Sequence, residues 1–253
     1  MRQELHPQGV EIVTVSLELN GPETSRPFIE AAHPEHPSLL DVEHRMDALF
    51  GVVNVPNVVW IDEQGLIVRP AEPGWPDARQ SLPPNLMAMR DSIPKMGRAR
   101  TAPTPPEKPE DPMALIASGQ DRKAYVDALR DWAGNGAASP YSLSPADVVA
   151  RSQPRSPDVS AAAAHFELGD YLWRKGQRDL ALAHFRESHR LQPGNWTYKR
   201  QAWSLVGNER VGGEFGLFVQ APLEGEEDNW PFLSDFHSDV DLLREGEYYP
   251  RTM

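Results

Sequence analysis

Residues 10–17, VEIVTVSL, alternate apolar and polar side chains and are rich in β-branched residues, the period-2 pattern of a strand. Gly9 supplies the turn before it, and Asn20-Gly21-Pro22 ends it. Pro22 suits the first turn of a helix over 22–32, because its missing N–H is not needed there. Pro34 and Pro37 close that helix and frame a short strand at 38–41. In EHRMDALFGV, Met46, Leu49 and Phe50 recur at helical spacing and Gly51 is the stop. The run NVPNVVWIDEQGLIVR then reads as a β-hairpin, with strands at 58–61 and 66–69 around the turn Asp62-Glu63-Gln64-Gly65.

Prolines punctuate residues 70–112, leaving room for one short helix at 84–92 around Leu86, Met87 and Met89. The stretch 98–112, RARTAPTPPEKPEDP, has no apolar periodicity and reads as an extended, solvated linker. Beyond it the pattern is helical. Tyr125, Ala128, Leu129 and Trp132 share one face of a helix over 121–133, stopped by Gly134-Asn135-Gly136. Further helices are expected from Ser144-Pro145 to Ala150, then at 159–175, 178–191 and 195–206. From Gly207 onward a mostly irregular tail is expected, with a hairpin packing on the helices and a short helix near 237–244. The fold class is therefore α/β plus α: an α/β layer over 1–72, a proline-rich linker over 73–120, a helical domain over 121–206 and a tail over 207–253.

Within the helical part, Leu168-Gly169 is followed twelve residues later by Ala181, then Phe185, then Pro193, with Gly176 at the turn. This spacing resembles a tetratricopeptide repeat (TPR), a 34-residue helical hairpin with fixed residue sizes at its contact points. The resemblance covers 161–195, with 196–206 as a capping helix. It departs from the pattern at His165, where Trp is usual, and at Leu172, where Tyr is usual. It implies that Leu168, Gly169, Ala181, Phe185 and Pro193 hold the hairpin, and that Phe166, Asp170, Trp173 and Arg174 line a concave interaction surface. They lack the Lys/Asn clamp that some such repeats use for a terminal carboxylate, and internal packing alone is the competing reading. One repeat is fewer than the three or so that bury a continuous core, so neighbouring helices must substitute.

The order strand, helix, strand, helix, hairpin, together with VVNVPNVVWIDEQGLIVR, resembles the thioredoxin-like fold of the TlpA/ResA-type redoxins over about residues 5–72. By that resemblance Pro56, after Val55, is the family's cis-proline. The family's Cys-x-x-Cys, its first strand and most of its first helix have no counterpart here; the chain begins near the end of that helix, at MRQEL. The absent strand would lie between the strand of 10–17 and that of 57–61, which leaves a truncated or misplaced start, a sheet repaired by another segment, or an altered fold, the first being favoured.

Composition narrows the function. There is no cysteine among the 253 residues, which excludes disulfides, thiolate zinc sites and thiol nucleophiles from this chain. The net charge of -12 disfavours phosphate backbones and anionic lipid as partners. No apolar run approaches the ~20 residues that span a bilayer, and the N-terminus has no signal-peptide core, so a cytoplasmic location is expected. His33, His36 and His44 lie near Glu35, Asp41 and Glu43, but Pro34 and Pro37 interrupt any shared helical face, so the cluster reads as a solvated loop rather than a metal site. His184 and His189 are five apart and diverge on a helix. No nucleophile elbow or dinucleotide fingerprint is present: Gly212-Gly213 and Gly216 miss the spacing. Glu224, Glu226, Glu227 and Asp228 read as a solvated loop, and the seven tryptophans as core or interface anchors. No cofactor, metal or catalytic residue is expected. The expected function is a non-catalytic scaffold or interaction protein, with a redox-inactive thioredoxin-like domain and a TPR-like module offered to a protein or peptide partner. The alternative is a thiol-disulfide oxidoreductase or peroxide-reducing redoxin whose dithiol lies upstream.

Overall fold

The computed structural model describes residues 1–19, 21–74, 94–103, 116, 121–152, 154–212, 216 and 218–249. The helix expected at 84–92, Trp75 and most of the linker lie outside the described residues. The chain forms two compact units, one from residues 1–78 and 121–156 and one from 79–120 and 157–251. Mixed helices with small sheets match the coarse α/β plus α expectation.

In the first unit, α1 (Arg2–Leu5) precedes β1 (Thr14–Leu17), and α2 (Pro22–Ala32) connects β1 to β2 (Ser38–Asp41). β1 and β2 pair in parallel, Thr14 against Ser38 through Leu17 against Asp41. The expected strand starts four residues late, because the Val10 N–H is spent on the Leu5 carbonyl (3.3 Å) and the partner strand begins only at Ser38. α3 (Arg45–Phe50) is capped by the buried Asp41, whose two carboxylate oxygens accept the Arg45 and Met46 N–H groups at 3.0 and 2.6 Å. β3 (Asn57–Ile61) and β4 (Ile67–Pro73) form the antiparallel hairpin. Its turn is held by Asp62 Oδ1, which accepts the N–H groups of Gln64 (3.0 Å) and Leu66 (2.8 Å). Among the described residues no ladder joins the β1–β2 sheet to the β3–β4 sheet.

α4 (Arg122–Asn135), capped by Asp121, belongs to this unit and not to the helical domain expected over 121–206. The reason is its apolar face. Tyr125, Ala128 and Leu129 pack with Leu5, Trp60 and Val68 into one core, with Trp132 at its margin. The Trp60 indole donates to the Tyr125 hydroxyl at 3.0 Å and stacks on Trp132 at 5.0 Å. A buried pair, Arg69 with Glu72, sits beside them at 2.5 and 2.9 Å, and Arg69 also donates to the Tyr141 carbonyl. α5 (Pro145–Arg151) lies against β4, with the Leu143 N–H on the Val68 carbonyl at 2.9 Å.

The second unit contains α6 (Pro157–Arg174), α7 (Arg178–Leu191) and α8 (Trp196–Val211), followed by a tail that includes a short helix, α9 (Phe236–Val240). The tail is irregular as expected but is a buried part of the core: Val219, Ala221, Trp230, Phe232, Val240, Tyr248 and Tyr249 are all covered. α8 runs to Val211, five residues past its expected end, because Gly207 lets the tail backbone close over it; a Cβ there would meet the Val219 carbonyl oxygen at 2.1 Å. Residues 98–103, expected to be solvated linker, are docked here instead. The Ala99 N–H donates to buried Asp235 at 2.6 Å, Arg98 pairs with Asp241, and Thr101 Oγ1 donates to the Leu233 carbonyl at 3.0 Å. Asp235 also caps α9 reciprocally with Ser238.

Candidate functional site

The α6–α7 hairpin is built around its smallest residues. A Cβ added at Gly169 would stand 2.7 Å from the Phe185 ring and 3.3 Å from the Ala181 carbonyl oxygen, so only glycine lets the helices approach this closely. Ala181 and Phe185 are fully buried, and Pro193 lies in the turn before α8. Leu168, in contrast, is 43% exposed, and Tyr171 and Leu180 are exposed as well.

The surface expected from Phe166, Asp170, Trp173 and Arg174 is not formed. Phe166, Asp170 and Trp173 are buried, and only Arg174 reaches solvent, paired to Asp170. α8 occupies the face they would have lined: Tyr198 stacks on Phe166 with centroids 4.3 Å apart and planes at 16°. Trp173 packs on Phe185 at 6.3 Å and carries the Arg178 guanidinium 4.1 Å from its ring centre. Among the described residues of the hairpin, the large apolar side chains that remain exposed are Leu168, Tyr171 and Leu180.

One turn before Gly169 on α6 and one turn after Ala181 on α7, antiparallel packing brings His165 and His184 together. Their Nδ1 atoms are 2.8 Å apart and both rings are half-buried. The chain spacing alone does not announce this pair; once Gly169 and Ala181 are opposed, steps of −4 and +3 residues predict it. His189 diverges from His184 as expected. It stacks on Phe232 at 5.2 Å and meets Trp203 edge-on at 5.9 Å. Burial, and then the nearby Lys199 charge, push its imidazole down to about 3. Lys199 is itself buried, donating to the Pro193 carbonyl at 2.9 Å, paired with Asp239 and lying 4.5 Å over the Trp196 ring.

In the first unit the Val55–Pro56 peptide bond is cis. Val13, Leu39, Leu40, Leu49 and Val53 are exposed around the β1–β2 sheet and α3. The three loop histidines do not converge. His33 ends α2 in a left-handed conformation, His36 Nδ1 lies 3.1 Å from the Pro37 carbonyl, and His44 is buried. Among the described residues no three His, Asp or Glu side chains gather as metal ligands, and no helix is long and apolar enough to cross a membrane. Trp60, Trp173, Trp196, Trp203 and Trp230 are buried as core anchors.

No family model, curated protein or solved structure matches this chain.

Proposed function

We propose that the protein is a non-catalytic scaffold or interaction protein, with a redox-inactive thioredoxin-like unit and a TPR-like helical unit. The observation that carries this reading is β2. Leu39 and Leu40 are consecutive, so they face opposite sides of a parallel sheet, yet they are 51% and 37% exposed. Parallel strands are normally covered on both faces, and a two-stranded sheet is marginal alone. Such a strand calls for a covering protein surface. The exposed Leu168, Tyr171 and Leu180 of α6–α7 offer a second apolar surface of the same kind. With no cysteine in the sequence, these residues supply no thiol for the chemistry of the redoxins they resemble.

A photo-crosslinking residue placed at Leu40 or Tyr171 of the full chain, with exposed Glu63 as control, tests the reading. Capture of one protein from both positions and not from Glu63 supports it. Equal labelling at all three, or insulin reduction above background by this chain, refutes it. The second reading is an oxidoreductase with its dithiol upstream. It is supported by the order of elements around Val55–Pro56 and by the division of the strands into β1–β2 and β3–β4. An upstream reading frame encoding a strand and W-C-x-x-C would favour it; a stop codon there would remove it.

A further inference from the structure

We propose that the tail of the second unit carries a groove for an extended, arginine-bearing peptide of the pattern Gly-Arg-small-x-Ser/Thr, with residues 95–101 of this chain, KMGRART, as its resident occupant. The proposal rests on the reading of the protein as an interaction protein, but places the contact away from Leu40 and Tyr171. The segment is held as a bound peptide is held. Met96 bridges Leu223 in antiparallel register, the Gly97 N–H donates to the Pro222 carbonyl at 2.8 Å, and the Glu224 N–H donates to the Lys95 carbonyl at 3.0 Å. This is strand addition, which sets direction and register through the backbone and leaves side chains to supply specificity.

Four positions are read by their chemistry. A Cβ at Gly97 would stand 2.4 Å from Glu227 Oε1, which the Gly225 N–H holds at 3.0 Å, so the backbone passes here as glycine. Arg98 pairs with Asp241, whose side chain is 2% exposed. Ala99 is buried, which calls for a small side chain, and its N–H donates to Asp235 Oδ2 at 2.6 Å. Thr101 Oγ1 donates to the Leu233 carbonyl at 3.0 Å. The receiving side is set in advance: the other oxygen of Asp235 accepts the Ser238 N–H at 2.9 Å and so is fixed by α9, not by the peptide.

The occupant is exchangeable. It is short, its buried apolar side chain is the single methyl of Ala99, and its arginines stand half in water: Arg98 is 43% exposed and Arg100, paired with Asp228 at 2.9 Å, is 65% exposed. A segment that buries so little apolar area opens at less cost than the helices beneath it. Once it lifts, Asp241 lacks its cation, while Asp235 and the Pro222 and Leu233 carbonyls still point at the vacated path. Glu224, Glu227 and Asp228 alongside add negative charge that draws a cationic peptide. Contacts that read a backbone, one guanidinium and one hydroxyl do not distinguish this chain's own segment from another protein's.

The test titrates a fluorescent peptide of residues 94–103 into the full chain, read by anisotropy. Arg98→Glu in the protein sets like charge against Asp241 and releases the chain's own segment. The peptide should bind this variant roughly tenfold or more tightly than it binds wild type, where the tethered segment competes. Arg98→Glu in the peptide, or Asp241→Ala added to the protein variant, should each weaken binding by roughly tenfold. Equal binding by wild type and Arg98→Glu, or equal binding of a scrambled peptide, overturns the proposal. If Arg98→Glu fails to fold, hydrogen exchange of the wild type decides. Exchange of residues 96–101 that is accelerated by excess peptide supports the groove, and exchange that the peptide leaves unchanged overturns it. Peptide binding without crosslinking at Leu40 or Tyr171 keeps this groove and removes those two surfaces; crosslinking without peptide binding does the reverse.

Discussion

Lowering the pH from 7 to 5 should destabilise the second unit through one ring, His189. The Nε2 of His189 is sealed from solvent and has no hydrogen-bond partner among the described residues, while its ring lies between Phe232 and Trp203. Burial comes first and the Lys199 charge second in holding the imidazole at about 3, against an ordinary value of 6.5. The folded pKa is depressed, so the native ring stays neutral down to that value while the unfolded chain takes up a proton below 6.5. The unfolded state then binds more protons, and stability falls as pH falls through this window. Each pH unit is worth about 1.4 kcal/mol, so the loss at pH 5 is about 2 kcal/mol. Other titrating groups act in the same range; burial also lowers His237. The difference between wild type and His189→Phe isolates the ring, since the variant keeps an aromatic there and removes the proton site. Urea unfolding at pH 7 and pH 5 should show that difference moving by about 2 kcal/mol in favour of the variant at pH 5. Parallel profiles would mean that His189 protonates in the folded state, and the reasoning from burial fails.

Gly169→Ala drives a methyl into the Phe185 ring and should cost about 1–3 kcal/mol, read as a fall in Tm; a neutral effect would mean the hairpin is looser than described. Tyr125→Phe strands the buried Trp60 N–H and should cost about 1–3 kcal/mol by chemical denaturation, with Trp60→Phe/Tyr125→Phe costing less than the sum of the two single variants. Lys199→Met leaves Asp239, whose side chain is 12% exposed, without its cation and should cost about 3 kcal/mol, largely restored by adding Asp239→Leu. No such restoration would show that Lys199 acts through its contacts with Trp196 and Trp203 instead.

Local chemistry made much of this fold readable. Pro22 and Gly51 mark helix ends that the structure keeps, and 178–191 is a helix over the residues its spacing indicates. Tyr125, Ala128, Leu129 and Trp132 were legible as one face, but periodicity says only that a face is apolar, not which core receives it; Trp60 and Val68 receive this one. The docking of 98–103 was hidden for a related reason. Its contacts are polar and reach Asp235 and Asp241, more than 130 residues away, so no local pattern carries them. A lone hairpin would expose Phe166 and Trp173, and only the following helix changes this: Tyr198 on α8 covers Phe166. The His165–His184 contact follows from the opposition of Gly169 and Ala181 across the hairpin, which no local pattern carries.

The path of the chain between the two units has a consequence for synthesis. The first unit is interrupted after its hairpin, and its core waits for α4, some fifty residues further on. In the meantime residues 98–103 have left the ribosome, but their anchors in the second unit, Asp235 and Asp241, are made last. Neither unit can finish in simple order from the N-terminus, the usual course for chains of two domains. A nascent chain halted near residue 120 would hold an open hairpin with Trp60 uncovered, and cutting the gene at that point would yield two fragments, each lacking a piece of its own interior. Fragments intended to separate the units should instead be expressed together and tested for reassociation.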